Sequence, residues 1–171
     1  MIGLKRGTVA LQSHHAEWEV EFKNEKEKLK HVFEGVTLDI QHIGSTAIPG
    51  VSAKPIIDIG VFVNSFQDVE TKIIDLEGLG YIQKKENRPE RMFFAKGSDE
   101  QRTHYLHIGE KGSSYVEDMI LFRDYLISHP EVAKEYSDLK QDLTIRFAEQ
   151  REVYTSKKEA FVNQILTKAK L

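Results

Sequence analysis

An α+β fold, with a mixed β-sheet core ahead of a C-terminal helical bundle, is predicted for this chain of 171 residues. Three observations carry that prediction. Ile57, Ile59, Val61 and Val63 alternate along one stretch, the period of a strand with one buried face. After Gly112 the apolar residues fall instead at three- and four-residue intervals through three successive segments, the period of helices. The length suits one compact domain with a single sizeable core.

The elements follow in order. Residues 4–11 read as a short strand, and 14–34 as a helix with Trp18, Phe22, Leu29 and Phe33 on its apolar side. Residues 38–43 are β-like, and a turn-rich stretch with Gly44, Ser45, Thr46, Pro49 and Gly50 comes next. Residues 55–63 form the strongest strand. Ser65 is a good N-cap for a helix carrying Phe66, Val69, Ile73 and Leu76, ended near Gly78 and Gly80. Strands are expected at 91–96 and 102–109, with a hairpin loop at Gly97-Ser98-Asp99. Helices are expected at 114–128, 131–149 and 153–169, and Pro130 suits the opening of the second. The mixed half covers 1–112 and the helical half 113–171, packed on one another as one unit.

The formal net charge is −3, so the basic excess of a general nucleic-acid binder is missing and any anion site must be local. There is no cysteine, which excludes disulfides, thiolate metal sites and cysteine nucleophiles and fits a reducing compartment. No segment approaches the ~20 apolar residues that span a bilayer, and residues 1–10 have no apolar run of signal-peptide length. A cytoplasmic protein is expected. No heptad seam argues for a coiled-coil dimer.

The segment that carries chemistry runs His42-Ile43-Gly44-Ser45-Thr46-Ala47-Ile48-Pro49-Gly50, then Lys54-Pro55-Ile56-Ile57-Asp58. Further along stand Arg91-x-Phe93, His104-x-x-His107, Phe122-Arg123-Asp124-Tyr125-Leu126 with His129-Pro130, and Tyr136-x-x-Leu139-Lys140. In this order these motifs resemble the GrpB family, and the resemblance spans nearly the whole chain. It implies a nucleotidyltransferase-like core, similar to the DNA polymerase beta type, in which a Gly-Ser pair precedes a strand bearing Asp-x-Asp or Asp-x-Glu. It also implies a link to coenzyme A metabolism, because GrpB-like domains occur fused to dephospho-CoA kinase.

The physics of that layout assigns roles. Gly44 lets the backbone approach a phosphate, and Ser45 and Thr46 would face the anion with their N–H groups if a short helix starts there. Asp58, on the polar face of a strand whose other face is aliphatic, would hold a divalent metal bridging phosphate oxygens. The competing reading pairs Asp58 with Lys54 or an arginine, or makes it a turn cap. Where the second acidic residue is expected stands Gly60, so the set of two or three carboxylates that holds two ions ~4 Å apart is incomplete.

Strand alternation puts His104 on the core side and His107 with Tyr105 on the other, so His107 is the histidine to meet Asp58. A set of Asp58, His42 and His107 would suit Zn²⁺ or Mn²⁺ better than Mg²⁺. Alternatively His107 acts as a general base, or each histidine is a hydrogen-bonded structural group. Among many basic residues, Lys54, Arg91 and Lys140 are the phosphate candidates, and Tyr154 and Lys158 match loosely the triphosphate ligands of a helical domain. Tyr115, Phe122, Tyr125 and Trp18 read as core.

Three functions remain open on this reading. The first is metal-assisted nucleotidyl or phosphoryl transfer to a small molecule. The second is a non-catalytic module that binds a nucleotide or phosphorylated metabolite as a companion in coenzyme A metabolism. The third is an interaction scaffold with a vestigial cleft. The single firm carboxylate favours binding over two-metal chemistry.

Overall fold

The structure is a computed structural model; it describes residues 1–148 and 150–171, without the side chain of Arg151. Glu149, at the end of the helix expected over 131–149, and the Arg151 side chain, one of the basic groups of the helical half, lie outside the described residues.

Helix α1 (Glu17–Val32) carries Glu17 and Glu19 in its first turn and Lys30 and His31 in its last, charges that complement its dipole. Strands β1 (Thr37–Ile43) and β2 (Ile57–Val63) flank the turn-rich segment. Short helices α2 (Phe66–Glu70) and α3 (Ile73–Gly78) lead to β3 (Tyr81–Gln83), β4 (Met92–Gly97) and β5 (Arg102–Glu110). Helices α4 (Ser114–Ser128), α5 (Pro130–Arg146) and α6 (Arg151–Ala169) complete the chain. The five strands form one mixed sheet in the order β1-β2-β5-β4-β3. Only β2 and β5 are parallel; the other three pairings are antiparallel.

The two faces of the sheet are chemically different. Ile57, Ile59, Val61 and Val63 are fully buried on one face, with Leu106, Ile108 and Phe94, beneath Trp18, Phe22, Leu29, Phe33, Val69 and Leu76. That face holds the main core. On the other face β2 and β5 present Gly60 and Gly109, and α4 settles onto them. A Cβ on either glycine would lie 2.8 Å or 3.0 Å from a methyl of Val116. The absence of those side chains is what lets α4 sit so close to the sheet.

The helical half is tied to the sheet through the turn-rich segment. Ile48 and Val51 insert among Phe122, Leu126, Ala133, Tyr136 and Ile165 of the bundle. Val9, from the N-terminal segment, packs on Leu143 and Tyr154.

Two local expectations differ from the structure, and one short strand lies where none was expected. Residues 4–11 form no strand; the segment pairs with the sheet half through the isolated bridges Leu4–Arg102 and Gln12–Ala53, and the Arg6 amide donates to the Asp99 carbonyl. Gly3 and Gly7 have φ of +115° and +86°, which turns the chain away from regular pairing. The helix expected after Ser65 is two, because Thr71 bonds its hydroxyl back to the Asp68 carbonyl (2.7 Å) and Lys72 leaves the helical region. Strand β3, three residues at the sheet edge, is too short to show a period of its own. Among the described residues no helix is long and apolar enough to cross a membrane.

Candidate functional site: a lysine-lined cavity beside Asp58

Register brings loop and carboxylate together. β1 pairs antiparallel with β2, so Ile43 stands opposite Asp58 and the next residue, Gly44, begins its turn against that side chain. Gly44 has φ +72° and ψ −176°, a conformation that favours glycine. A Cβ there would lie 2.6 Å from Asp58 Oδ2. Two constraints therefore select glycine at this position. Ser45–Ala47 then make a single 3₁₀ turn.

Beside this turn lies a cavity of about 240 Å³. Asp58, Ser45, Thr46 and Lys54 line it from the sheet half, and Lys140, Tyr154, Thr155 and Lys158 from the helical half. The lining carries three lysines against one carboxylate. Lys140 is the most constrained of them. It is 2% exposed, yet its Nζ has no ion pair among the described residues. It donates to Ser45 Oγ at 2.8 Å and to the Ser52 carbonyl, and lies 4.4 Å from the centre of the Tyr136 ring. Burial pushes its ammonium well below the usual lysine range, the positive charges of Lys158 and Lys54 push the same way, and Asp58 opposes them. Burial likewise drives the Tyr136 hydroxyl up to about 12.

Helix α5 does more than supply this lysine. Ser137 Oγ accepts from the Ser52 amide at 3.0 Å, and Gln141 Nε2 donates to Ser52 Oγ at 2.9 Å. Ser137, Lys140 and Gln141 recur at helical spacing, so one face of α5 grips the loop at Ser52.

Behind Asp58 runs a chain of hydrogen bonds. His107 Nε2 is 2.9 Å from Asp58 Oδ1, and His107 Nδ1 is 3.0 Å from the Tyr115 hydroxyl. Arg91 donates to that hydroxyl and to Glu86. Since Arg91 is only a donor, the Tyr115 oxygen accepts from it, and the Tyr115 proton is then available to His107 Nδ1. With neutral His107, the remaining ring proton then sits on Nε2 and points at Asp58. This assignment makes His107 a fixed donor that holds one carboxylate oxygen and leaves the other toward Gly44.

The predicted residues thus divide. Ser45, Thr46, Lys54, Asp58 and Lys140 meet around one cavity, Gly44 abuts the Asp58 side chain without lining that cavity, and His107 contacts Asp58 from behind. Lys54 faces the Tyr154 ring, 5.4 Å from its centre. Arg91 is not among the cavity lining; it is engaged by Glu86 and Tyr115 and borders a neighbouring groove. His42 is turned away from Asp58. It pairs in register with Ile59, so its side chain takes the core face. There it stacks on Phe22 at 4.7 Å and bonds Glu19 (3.2 Å) and Thr46 Oγ1 (3.0 Å). Burial lowers its pKa, with Glu19 opposing. The set of Asp58, His42 and His107 is not assembled, because His42, paired with Ile59, lies on the opposite face of the sheet from Asp58.

The donor set does not fit a resident metal. Among the described residues no group of three or more histidines and carboxylates is placed to hold an ion. The second acidic position is closed as well as vacant of acid, since any side chain on Gly60 would meet Val116.

Sequence reasoning missed several contributors. Leu11, Ile56, Tyr105 and Thr155 line the cavity without any motif to mark them. Tyr115, read as core, directs its hydroxyl to His107; its position at the start of α4, one turn from β5, is the signal that would have found it.

The model of the GrpB protein family matches residues 8–168. The glutamate-rich protein GrpB of Alkalihalophilus pseudofirmus is 39% identical over 171 residues, covering 97% of this chain and 98% of that one. The UPF0157 protein YqkA of Bacillus subtilis is 39% identical over 158 residues, and there the match spans 92% of this chain but 46% of the relative. The crystal structure of the conserved protein GrpB from Enterococcus faecalis superposes with a TM-score of 0.87 at 30% identity, covering 94% of this chain and 96% of that one. A dephospho-CoA kinase of Mycolicibacterium paratuberculosis is 22% identical, the match covering 97% of this chain and 47% of the kinase.

Proposed function

This chain belongs to the GrpB family, and from that premise we propose that it binds the phosphates of a nucleotide or phosphorylated small molecule in the cavity between Ser45, Asp58 and Lys140. One observation carries the reading. Lys140 is buried with neutral partners only, beside Lys54 and Lys158. A buried ammonium without a counter-ion is costly, and an entering phosphate removes that cost. The Gly-Ser turn ahead of an aspartate strand supports a nucleotidyltransferase-like cleft.

The site favours binding over turnover. Asp58 offers one oxygen that is not committed to His107, so a divalent ion arriving with the ligand, Mg²⁺, Mn²⁺ or Zn²⁺, would take one protein carboxylate here. Such an ion would supply charge neutralisation between that carboxylate and the phosphates. The chain's own residues bind and orient: the lysines neutralise, Ser45 donates or accepts at the turn, and His107 holds Asp58 in one rotamer.

The test is thermal unfolding with each nucleoside triphosphate or pyrophosphate, with and without Mg²⁺, Mn²⁺ or Zn²⁺. A ligand at about 100 times its Kd stabilises by about 2.7 kcal/mol, which corresponds to roughly 5–10 °C in a chain of this size. The rise is expected to vanish in Lys140→Met. Absence of any shift in the native protein, or a shift that survives Lys140→Met, overturns the reading.

A second reading has its own support in the match to a dephospho-CoA kinase. On it the module is a non-catalytic companion in coenzyme A metabolism. Dephospho-CoA and CoA in the same screen decide it: selective stabilisation by either one favours the companion role, and equal response to all triphosphates counts against it.

A further inference from the structure

The cavity beside Asp58, about 240 Å³, is smaller than the ~300–1,000 Å³ typical of small-molecule sites. It suits a phosphate chain rather than a whole substrate. Next to it lies a groove of about 510 Å³, and Tyr105 lines both. The continuity follows from register: Asp58, Tyr105 and Ala95 stand side by side on β2, β5 and β4, so their side chains share the face of the sheet opposite the main core.

The groove is strongly basic in a chain whose net charge is −3. Arg6, Lys84, Lys85, Arg91 and Arg102 border it, with Glu86 as its one acid. The arginines are held in place. Arg91 is fixed by Glu86 and Tyr115, Arg102 by the Gly97 carbonyl (2.8 Å) and Asp99, and Arg6 lies 3.6 Å from Asp99. Lys84 and Lys85 have no ion pair among the described residues. The floor is aromatic, with the Phe93 and Tyr105 rings 5.3 Å apart and inclined at 49°. Fixed guanidiniums, two ammoniums outside any ion pair among the described residues and an aromatic floor are the chemistry that receives an organic phosphate.

We propose that this groove is a second ligand site, for a phosphate monoester carrying an organic body, held beside the ligand of the Asp58 cavity and separated from it by Tyr105. The monoester's phosphate rests on Lys84 and Lys85, its body covers Phe93, and its far end reaches Tyr105. The inference rests on the preceding reading for its first ligand, but its own residues are different ones, so the two are separable by experiment.

The test is a titration of ¹⁵N-labelled protein followed by backbone amide shifts, with pyrophosphate as the probe of the cavity and adenosine 5′-monophosphate as the probe of the groove. Native protein is compared with Lys84→Glu/Lys85→Glu and with Lys158→Ala, each checked for an unchanged melting temperature. The monophosphate is expected to shift the amides of Lys84, Lys85, Phe93 and Tyr105. Its affinity is expected to fall roughly tenfold or more in Lys84→Glu/Lys85→Glu and to hold in Lys158→Ala. Shifts confined to Ser45, Lys54 and Tyr154, an affinity indifferent to the double charge reversal, or no response at all overturns the groove site. A groove that answers the monophosphate while the cavity ignores pyrophosphate upholds the groove and removes the reading of the cavity instead.

Discussion

A Cβ built on Gly60 stands 2.8 Å from Cγ1 of Val116, closer than real Cβ atoms come to a neighbour. The position where an Asp-x-Asp strand carries its second acid is therefore occupied by α4. Gly60→Asp is expected to destabilise the fold by about 1–3 kcal/mol through overpacking, with a further cost for a carboxylate pressed against a valine. Val116→Ala in the same chain should recover part of that loss. Urea unfolding of the single and double variants measures it, and a Gly60→Asp protein as stable as the native one contradicts the account.

Lys140 gives a prediction with a sign. Its folded pKa lies well below the ordinary value, chiefly because it is buried. Between the folded pKa and 10.5 the unfolded chain binds more protons, so this residue makes stability rise with pH through that window. A phosphate bound beside it would raise the folded pKa and draw in a proton. Calorimetric titration of pyrophosphate at pH 8.5 in buffers of different ionisation enthalpy should show proton uptake, and Lys140→Met should abolish it. Identical apparent enthalpies in all buffers for the native protein would sink the prediction.

The Tyr115 hydroxyl accepts from Arg91 and lies 3.0 Å from His107 Nδ1, while His107 Nε2 lies 2.9 Å from Asp58. The arrangement predicts a neutral ring that accepts the Tyr115 proton on Nδ1 and carries its own on Nε2, toward Asp58. Long-range ¹H–¹⁵N correlation of the imidazole should find the Nε2–H form in the native protein and a mixture in Tyr115→Phe, with little change in the far-ultraviolet circular dichroism. A native ring protonated on Nδ1 alone rules out the chain as described.

Acid should weaken this protein before its carboxylates titrate. Burial pushes the His104 imidazole down to about 4, and His42 is also lowered by burial. As pH falls below 6.5 the unfolded chain takes up protons that the folded one refuses, so stability declines across the window from 6.5 toward 4. His104 alone accounts for roughly 3 kcal/mol over that range. His104→Gln should shrink the difference between unfolding midpoints at pH 7.5 and pH 5.0 without removing it, because His42 remains. An unaltered difference would show that His104 is not the group responsible.

Periodicity along the chain was enough to find β1, β2, β4, β5, α1 and the three C-terminal helices to within a few residues, since it depends on which residues face one side of an element. It also separated His107 from His104, because alternation on one strand is a local property. Where local signals are weak, the reading lapsed: at the glycine-bent N-terminal segment, at the break at Thr71, and at the three residues of β3. The proximity of the turn to the carboxylate was legible where a motif and a strand register coincided, as at Gly44, Ser45 and Asp58. His42 was misplaced for want of the partner register: Ile43, not His42, stands across from Asp58.

The sequence by itself determined an α+β chain of the GrpB family with one aspartate on the polar face of a buried strand. It also determined that the acidic pair is broken at Gly60. Only the tertiary structure decided what surrounds that aspartate. Lys140 reaches Ser45 across 95 positions of the chain, and His107 reaches Asp58 across 49. Contacts of that span are set by strand register and by how α4 and α5 pack on the sheet, and neither is encoded in the spacing of neighbouring residues. Burial, and with it the depressed ammonium of Lys140, exists only once those surfaces have closed over it.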